Sequence, residues 1–70
     1  MFNEEAFRAA IKAKGENIEM AAKVMGINKV TLYRKMAGES DFYRKEMQLF
    51  CSYYGVKAAT IFFAKHVTET

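Results

Sequence analysis

This sequence of 70 residues has one cysteine, one histidine, no proline and no tryptophan. It therefore has few of the residues that form disulfides or bind metals in small proteins. A single cysteine cannot form an internal disulfide, and no cysteine–histidine cluster is available to hold zinc. No hydrophobic run approaches the roughly 18 residues that a membrane-spanning helix needs. The segment MFNEEAF is acidic, unlike the basic start of a secretory signal. These absences predict a cytoplasmic protein with no membrane partner.

Residues that carry enzyme chemistry are equally few. Cys51 falls on a predicted apolar helix face, so we expect a small core residue rather than a nucleophile. His66 has no partner at ligand or triad spacing, and Glu39 and Asp41 share a predicted loop without a pocket. No nucleophile–base set or phosphate-binding loop is present. The sequence therefore predicts a protein that is not an enzyme and that uses no metal or cofactor.

The excess positive charge is concentrated in one segment. The chain has 11 basic and 8 acidic residues, for a net charge of +3, and 51% of its residues are hydrophobic, as in a folded domain. Segment 28–45 alone accounts for the net charge, because the segments on either side are neutral. Its basic residues are Lys29, Arg34, Lys35, Arg44 and Lys45. Such a segment is a candidate footprint for nucleic acid, although an ordinary solvated helix face has the same composition.

The four glycines divide the chain into helical segments. Each glycine follows an apolar pattern with helical spacing, where a left-handed residue commonly ends a helix. We see no strand alternation, so the predicted fold is all-α, a single domain of five short helices over residues 1–70. The predicted helices span residues 4–14, 18–25, 29–37, 43–54 and about 57–64, followed by a loose tail at 65–70.

The second and third predicted helices form the most informative pattern, NIEMAAKVMGINKVTLYRKMAG at about 17–38. Only Gly26, Ile27 and Asn28 separate them, and so short a turn makes the helices cross steeply, as in a helix-turn-helix. Ala22 is small where the helices approach each other, and Leu32 fills the space between them. The outer side of the third helix is then polar and basic, as in a recognition helix that enters the major groove.

On these residues the chain resembles the lambda-repressor-like, Cro-type helix-turn-helix proteins (the XRE class), in particular the small regulators of phages and prophages. The resemblance covers about residues 6–67 and depends on AAKVMGINKVTLYRKMAGESDFYRKEM and on the ending GVKAATIFFAKHV. Two positions depart from the family pattern. Tyr43 stands where the family often has Thr or Ser to cap the fourth helix, and Ile18 stands where many members have Gln or Thr.

The resemblance implies roles for the residues of the third helix and of the start of the fourth. Lys29 or Arg34 would donate to guanine, Val30 would touch a thymine methyl group, and Tyr33 would contact a phosphate or sugar unless it packs partly in the core. Asn28 would read adenine or serve only as a helix cap. Lys35 would cover the core edge with its stem while its ammonium reaches a phosphate or solvent. The remaining predicted phosphate contacts are Arg44 and Lys45.

The function that the resemblance implies is sequence-specific binding to double-stranded DNA, with transcription regulated by operator occupancy. Such a protein acts in the bacterial cytoplasm and forms a homodimer at least on DNA. The candidate dimer surface comprises Ile61, Phe62, Phe63 and Val67, although we expect the first two to pack on the first helix and Phe63 to be the exposed one. One alternative function is an antirepressor that binds a phage repressor protein through the same fold. Another is a recombination accessory of the excisionase kind.

Overall fold

The computed structural model describes residues 2–62, and these residues form five α-helices and no strands. The prediction of an all-α fold is confirmed. The helices are α1 (Glu4–Ala13), α2 (Ile18–Met25), α3 (Lys29–Met36), α4 (Arg44–Tyr54) and α5 (Ala58–Ile61). Three predictions lie outside the described residues. They are the end of the fifth helix at about 64, the tail at 65–70, and the assignment of Phe63 and Val67 to a dimer surface.

Three asparagines start the first three helices in the same way. The side-chain oxygen of Asn3 accepts a hydrogen bond from the backbone N–H of Ala6 at 3.0 Å. Asn17 and Asn28 accept corresponding bonds from Met20 and Thr31, at 3.0 and 2.7 Å. Each bond satisfies a backbone donor that has no partner within its own helix. The sequence spacing of these asparagines therefore determines where α1, α2 and α3 begin.

The turn between α2 and α3 depends on Gly26. This residue has a φ of 76°, in the left-handed region where a side chain is unfavourable. Its N–H donates to the carbonyl of Lys23 at 3.1 Å, and the next N–H, that of Ile27, donates to the carbonyl of Ala22 at 3.0 Å. These bonds close α2 within one turn, so that α3 begins only four residues after α2 ends.

Helix α4 starts one residue later than predicted, because Tyr43 is its cap residue and makes no capping bond with its side chain. The carboxylate of Glu46 instead accepts a hydrogen bond from the backbone N–H of Tyr43 at 3.0 Å. This bond is one half of a capping box, and it stabilises the helix start without the usual serine or threonine.

The core is formed largely by phenylalanine rings from distant parts of the chain. Phe7 of α1 and Phe50 of α4 are fully buried and stacked, with ring centroids 4.5 Å apart. Phe62 packs edge-on against both rings, and Ile61 beside it is also buried. The backbone of Ile61 accepts a bond from the N–H of Asn3 at 2.7 Å, which ties α5 to the start of α1.

The burial of Ile61 and Phe62 corrects the predicted dimer surface. They are 1% and 5% exposed, so neither can contact a second copy of the chain without unfolding this part of the core. Their apolar surface is covered by α1 and α4 of the same chain, because burial within the core removes it from water. The alternative stated above, packing on the first helix, describes these two residues.

Helix α2 lies at the centre of the arrangement and packs against α1, α3 and α4. Its fully buried alanines, Ala21 and Ala22, let neighbouring helices approach closely. From α3, only Leu32 reaches the core with no exposed surface. The opposite side of α3 is therefore left at the surface. Among residues 2–62, no helix combines the length and hydrophobicity that a membrane span requires.

Candidate nucleic-acid interface

The outer face of α3, defined here as Lys29, Val30, Tyr33 and Arg34, is exposed along its whole length. Successive residues of a helix are turned by about 100°, which places these four side chains within an arc of roughly 140°. Val30 is 60% exposed and Tyr33 is 43% exposed, so Tyr33 belongs to this surface rather than to the core. The arrangement combines two cations, one apolar side chain and one aromatic hydroxyl on a single convex surface.

Asn28 adjoins the outer face of α3, but one half of its side-chain amide is already hydrogen-bonded within the protein. The capping bond to Thr31 holds the amide oxygen against the start of the helix. The amide NH₂ group remains as the part of this exposed residue that can donate to a ligand. Of the two roles that the sequence left open for Asn28, the capping role is present in the structure.

Lys35 is a correction to the predicted set, because its ammonium points into the protein. The residue is 5% exposed, and Nζ donates to the backbone carbonyl of Asp41 at 2.8 Å. Nζ also forms an ion pair with Oε1 of Glu46 at 3.2 Å and lies 4.0 Å from the centre of the Tyr43 ring. A buried charge needs such partners because it has lost its water. This ammonium therefore reaches neither phosphate nor solvent.

The start of α4 provides a second exposed cationic group. Arg44 and Lys45 occupy the first two positions of α4 and are both exposed, while the next residue, Glu46, is buried against Lys35. The partial positive charge of a helix N-terminus adds to the charge of these side chains. The Lys35–Glu46 ion pair joins α3 to this helix start, so the two cationic elements are held at a fixed separation.

Tyr43 is a surface residue that the sequence reasoning did not assign to the site. It is 66% exposed, the largest exposed fraction among the large hydrophobic side chains of the described residues. Its ring covers the ammonium of Lys35, and it directly precedes Arg44 and Lys45. An aromatic residue followed by two cations at a helix start is the signal that would have identified it.

A second polar cluster lies at the other end of α4. The carboxylate of Glu16 accepts hydrogen bonds from the hydroxyl groups of Tyr53 at 2.6 Å and Tyr54 at 2.9 Å. The bond from Tyr53, followed by that from Tyr54, lowers the pKa of Glu16, and burial raises the pKa of Tyr54. With a rise of 1.5 Å per residue, this end of α4 lies about 14 Å from Arg44. The cluster ties the α1–α2 connection to α4 and is separate from the α3 surface.

The part of the chain that the structure describes offers no group of three or more potential metal ligands. Cys51 is half-buried at the edge of the core, and burial raises the pKa of its thiol. A protonated thiol is a poor nucleophile. The side chains on the outer face of α3 offer charge, hydrogen-bond donation and apolar contact.

No protein-family model, curated protein or solved structure matches this chain. The interpretation of the α3 surface therefore depends on its geometry, its exposure and its charge.

Proposed function

We propose that this chain is a sequence-specific double-stranded DNA-binding regulator of the Cro or repressor type, with a lambda-repressor-like fold. It regulates transcription without enzymatic activity, by occupying an operator and excluding polymerase. Such a regulator acts in the cytoplasm of a bacterium, as a phage or prophage product. The observation that carries this proposal is the outer face of α3, a short exposed surface with two cations that form no ion pair within residues 2–62.

The length and placement of α3 support this role. The helix has 8 residues, about 12 Å at 1.5 Å per residue, and begins after a three-residue turn from α2. The major groove is about 12 Å wide and admits one α-helix, because a helix with its side chains is about 10–12 Å in diameter. Leu32 anchors one side of α3 in the core, so the helix presents its other side as a rigid surface. A rigid surface loses little conformational entropy on binding.

Charge supports the same surface. Neither Lys29 nor Arg34 forms an ion pair within residues 2–62, whereas Arg8 of α1 pairs with Glu4 at 2.8 Å. Arg44 and Lys45 add two further exposed cations at the start of α4. Phosphate contacts position a protein on DNA, and base contacts select the sequence. In this proposal α4 supplies the first kind of contact and α3 supplies the second.

A single α3 contacts few bases, so specific binding requires two copies of the chain. A two-fold dimer on DNA would place two recognition helices about 34 Å apart, at half-sites one helical turn from each other. The buried residues Ile61 and Phe62 are not available for this contact. The proposed homodimer forms through other residues, and the solution mass of the chain with and without duplex DNA tests it.

The antirepressor alternative has one observation in its favour, the exposed aromatic side chains. Tyr33, Tyr43 and Tyr53 are 43%, 66% and 43% exposed, and tyrosine is enriched in protein interfaces. This alternative predicts binding to a repressor protein and no binding to duplex DNA. A basic DNA-binding protein retains nonspecific affinity at low salt, so the two functions are separable in one experiment.

The experiment measures duplex binding by fluorescence anisotropy at about 50 mM salt for the wild-type chain and two charge-matched variants. Lys29→Ala with Arg34→Ala removes both cations of the outer face of α3. Lys12→Ala with Lys23→Ala removes two exposed cations from α1 and α2. Each lost charge-assisted contact costs about 1.5 kcal/mol or more, so we expect the α3 variant, which loses two, to bind about a hundredfold more weakly.

The control variant should stay within about threefold of the wild type, since its cations act only through the long-range field. Equal losses in the two variants would show that binding depends on net charge and not on α3. Absence of binding by the wild-type chain, with capture by a repressor protein, would replace the proposal with the antirepressor alternative.

A further inference from the structure

Hydrogen-bond donors dominate the outer face of α3. Lys29 and Arg34 can only donate, and the capping bond of Asn28 leaves its NH₂ group as the part that can reach outward. The helix sequence KVTLYRKM contains no carboxylate. The hydroxyl of Tyr33 is the one exposed side-chain acceptor on this face, and it donates as well.

The donor-rich face matches some base edges in the major groove and not others. Guanine presents two adjacent acceptors, O6 and N7, and thymine presents the O4 acceptor beside a methyl group. Cytosine presents an amino group alone, and adenine presents an amino group beside its N7 acceptor; an amino group needs an acceptor such as a carboxylate or an amide oxygen. Helix α3 has no carboxylate, and the amide oxygen of Asn28 already accepts the bond from Thr31. The amino groups of these bases therefore have no strong acceptor on α3.

Val30 supplies the apolar half of the same pattern. It is 60% exposed, and its position on the helix lies between those of Tyr33 and Arg34 around the circumference. A branched aliphatic side chain beside hydrogen-bond donors is complementary to a thymine, whose methyl group adjoins its O4 acceptor.

On the premise that α3 binds DNA as proposed above, we propose that its outer face selects keto bases. Lys29 and Arg34 recognise guanine O6 and N7 or thymine O4, and Val30 contacts the 5-methyl group of a thymine. The preferred half-site therefore carries guanine and thymine on the strand that α3 reads. Cytosine on that strand is disfavoured because donors would face its amino group, and adenine binds less well than guanine because an amino group stands where guanine has its second acceptor.

The test begins by selecting duplexes from a random-sequence pool with the full chain. The affinity of the chain is then measured for the selected duplex and for the same duplex with deoxyuridine in place of each thymidine of the half-site. This replacement removes only the 5-methyl group. Both duplexes are also measured with Val30→Ala and with Leu49→Ala, an aliphatic truncation at an exposed position of α4.

We expect selected half-sites rich in guanine and thymine on one strand, and a loss of about fourfold in affinity when the contacted thymine becomes uracil, the size expected for one buried methyl group. Val30→Ala should abolish this difference between the two duplexes, and Leu49→Ala should preserve it. Val30→Ala improves helix propensity, so its folding is not at risk.

Two results overturn the proposal. If the selected duplex binds equally with thymine and uracil, or if Val30→Ala keeps the full difference, Val30 does not read a thymine methyl group and this inference is wrong while DNA binding stands. If the chain selects no duplex at all, DNA binding itself fails, and the inference falls with it.

Discussion

Arg34 and Lys35 are adjacent cations on one helix, and the protein uses them in opposite ways. Arg34 belongs to the exposed outer face of α3, and Lys35 belongs to the α3–α4 junction, defined here as Lys35, Asp41, Tyr43 and Glu46. A turn of about 100° between neighbouring helix positions is enough to separate the two environments. The comparison shows that local charge alone does not define a binding surface. Of the five cations in segment 28–45, Lys35 is buried and paired with Glu46.

The junction also explains how the outer face is held. The ammonium of Lys35 donates to the carbonyl of Asp41, pairs with the carboxylate of Glu46 and lies against the ring of Tyr43, and these contacts compensate its charge. Glu46 uses one oxygen both for the ion pair and for the backbone N–H of Tyr43. One carboxylate thus joins α3 to α4 and starts α4. The exposed cations of both helices then have fixed relative positions.

The largest expected effect comes from breaking the junction. Glu46→Leu leaves the ammonium of Lys35 buried without its carboxylate, and we expect a loss of about 3 kcal/mol in the free energy of unfolding. Denaturation in urea measures it. The double variant Glu46→Leu with Lys35→Met should recover most of this loss, since no charge then remains buried. A double variant as unstable as the single one would contradict the importance of charge compensation.

A second prediction separates phosphate contacts from structural charge by salt dependence. Arg44→Ala and Lys45→Ala should each reduce the slope of log K against log salt by about 0.9, because each releases one counterion fewer on binding. The double variant Lys35→Met with Glu46→Leu, which leaves no charge buried, should leave the slope unchanged although it also removes a cation, since the ammonium of Lys35 is buried. A slope reduced by about 0.9 in this double variant would place Lys35 at the DNA and reverse the comparison.

The smallest expected effect concerns the cluster at the other end of α4, and it appears as pH dependence. The hydrogen bonds from Tyr53 and Tyr54 lower the pKa of Glu16 from its ordinary value of 4.5. A carboxylate whose pKa is lower in the folded state contributes stability above about pH 4.5, and this contribution is lost as the pH falls through the folded value. Melting temperatures from pH 7 to pH 3 should therefore show the advantage of the wild type over Glu16→Gln shrinking below pH 4.5.

The control for this pH dependence removes the two donors instead of the acceptor. In a chain with Tyr53→Phe and Tyr54→Phe, nothing in the cluster holds the pKa of Glu16 down through hydrogen bonds. The effect of Glu16→Gln should then be nearly independent of pH. An unchanged pH dependence in this background would show that the tyrosines are not its cause.

The sequence predicted those parts of the fold that depend on neighbouring residues. Asn28, for which capping was one of the two predicted roles, lies three residues before the N–H group that it accepts from, and Gly26 directly follows the helix that it ends. Helical spacing also separated Leu32, which is buried, from Val30 and Arg34, which are exposed. These features are local, so a single sequence contains the information for them.

The features that the sequence did not predict depend on contacts between distant residues. Lys35 was expected to reach outward, because nothing in its own helix shows that Asp41 and Glu46 fold back onto it. Ile61 and Phe62 could be assigned either to a dimer surface or to packing on the first helix, and the placement of α1 against them decides for packing. The bonds from Tyr53 and Tyr54 to Glu16 span 37 and 38 positions of the chain.

The most direct test of the central claim is to map the contact surface of a bound duplex by NMR. Backbone amide shifts of the labelled chain would be followed as the selected duplex is added at about 50 mM salt. The account predicts the largest changes at residues 28–34 and 43–46, on the outer face of α3 and the start of α4. Changes centred instead on residues 14–16 and 53–54, with α3 unaffected, would contradict it.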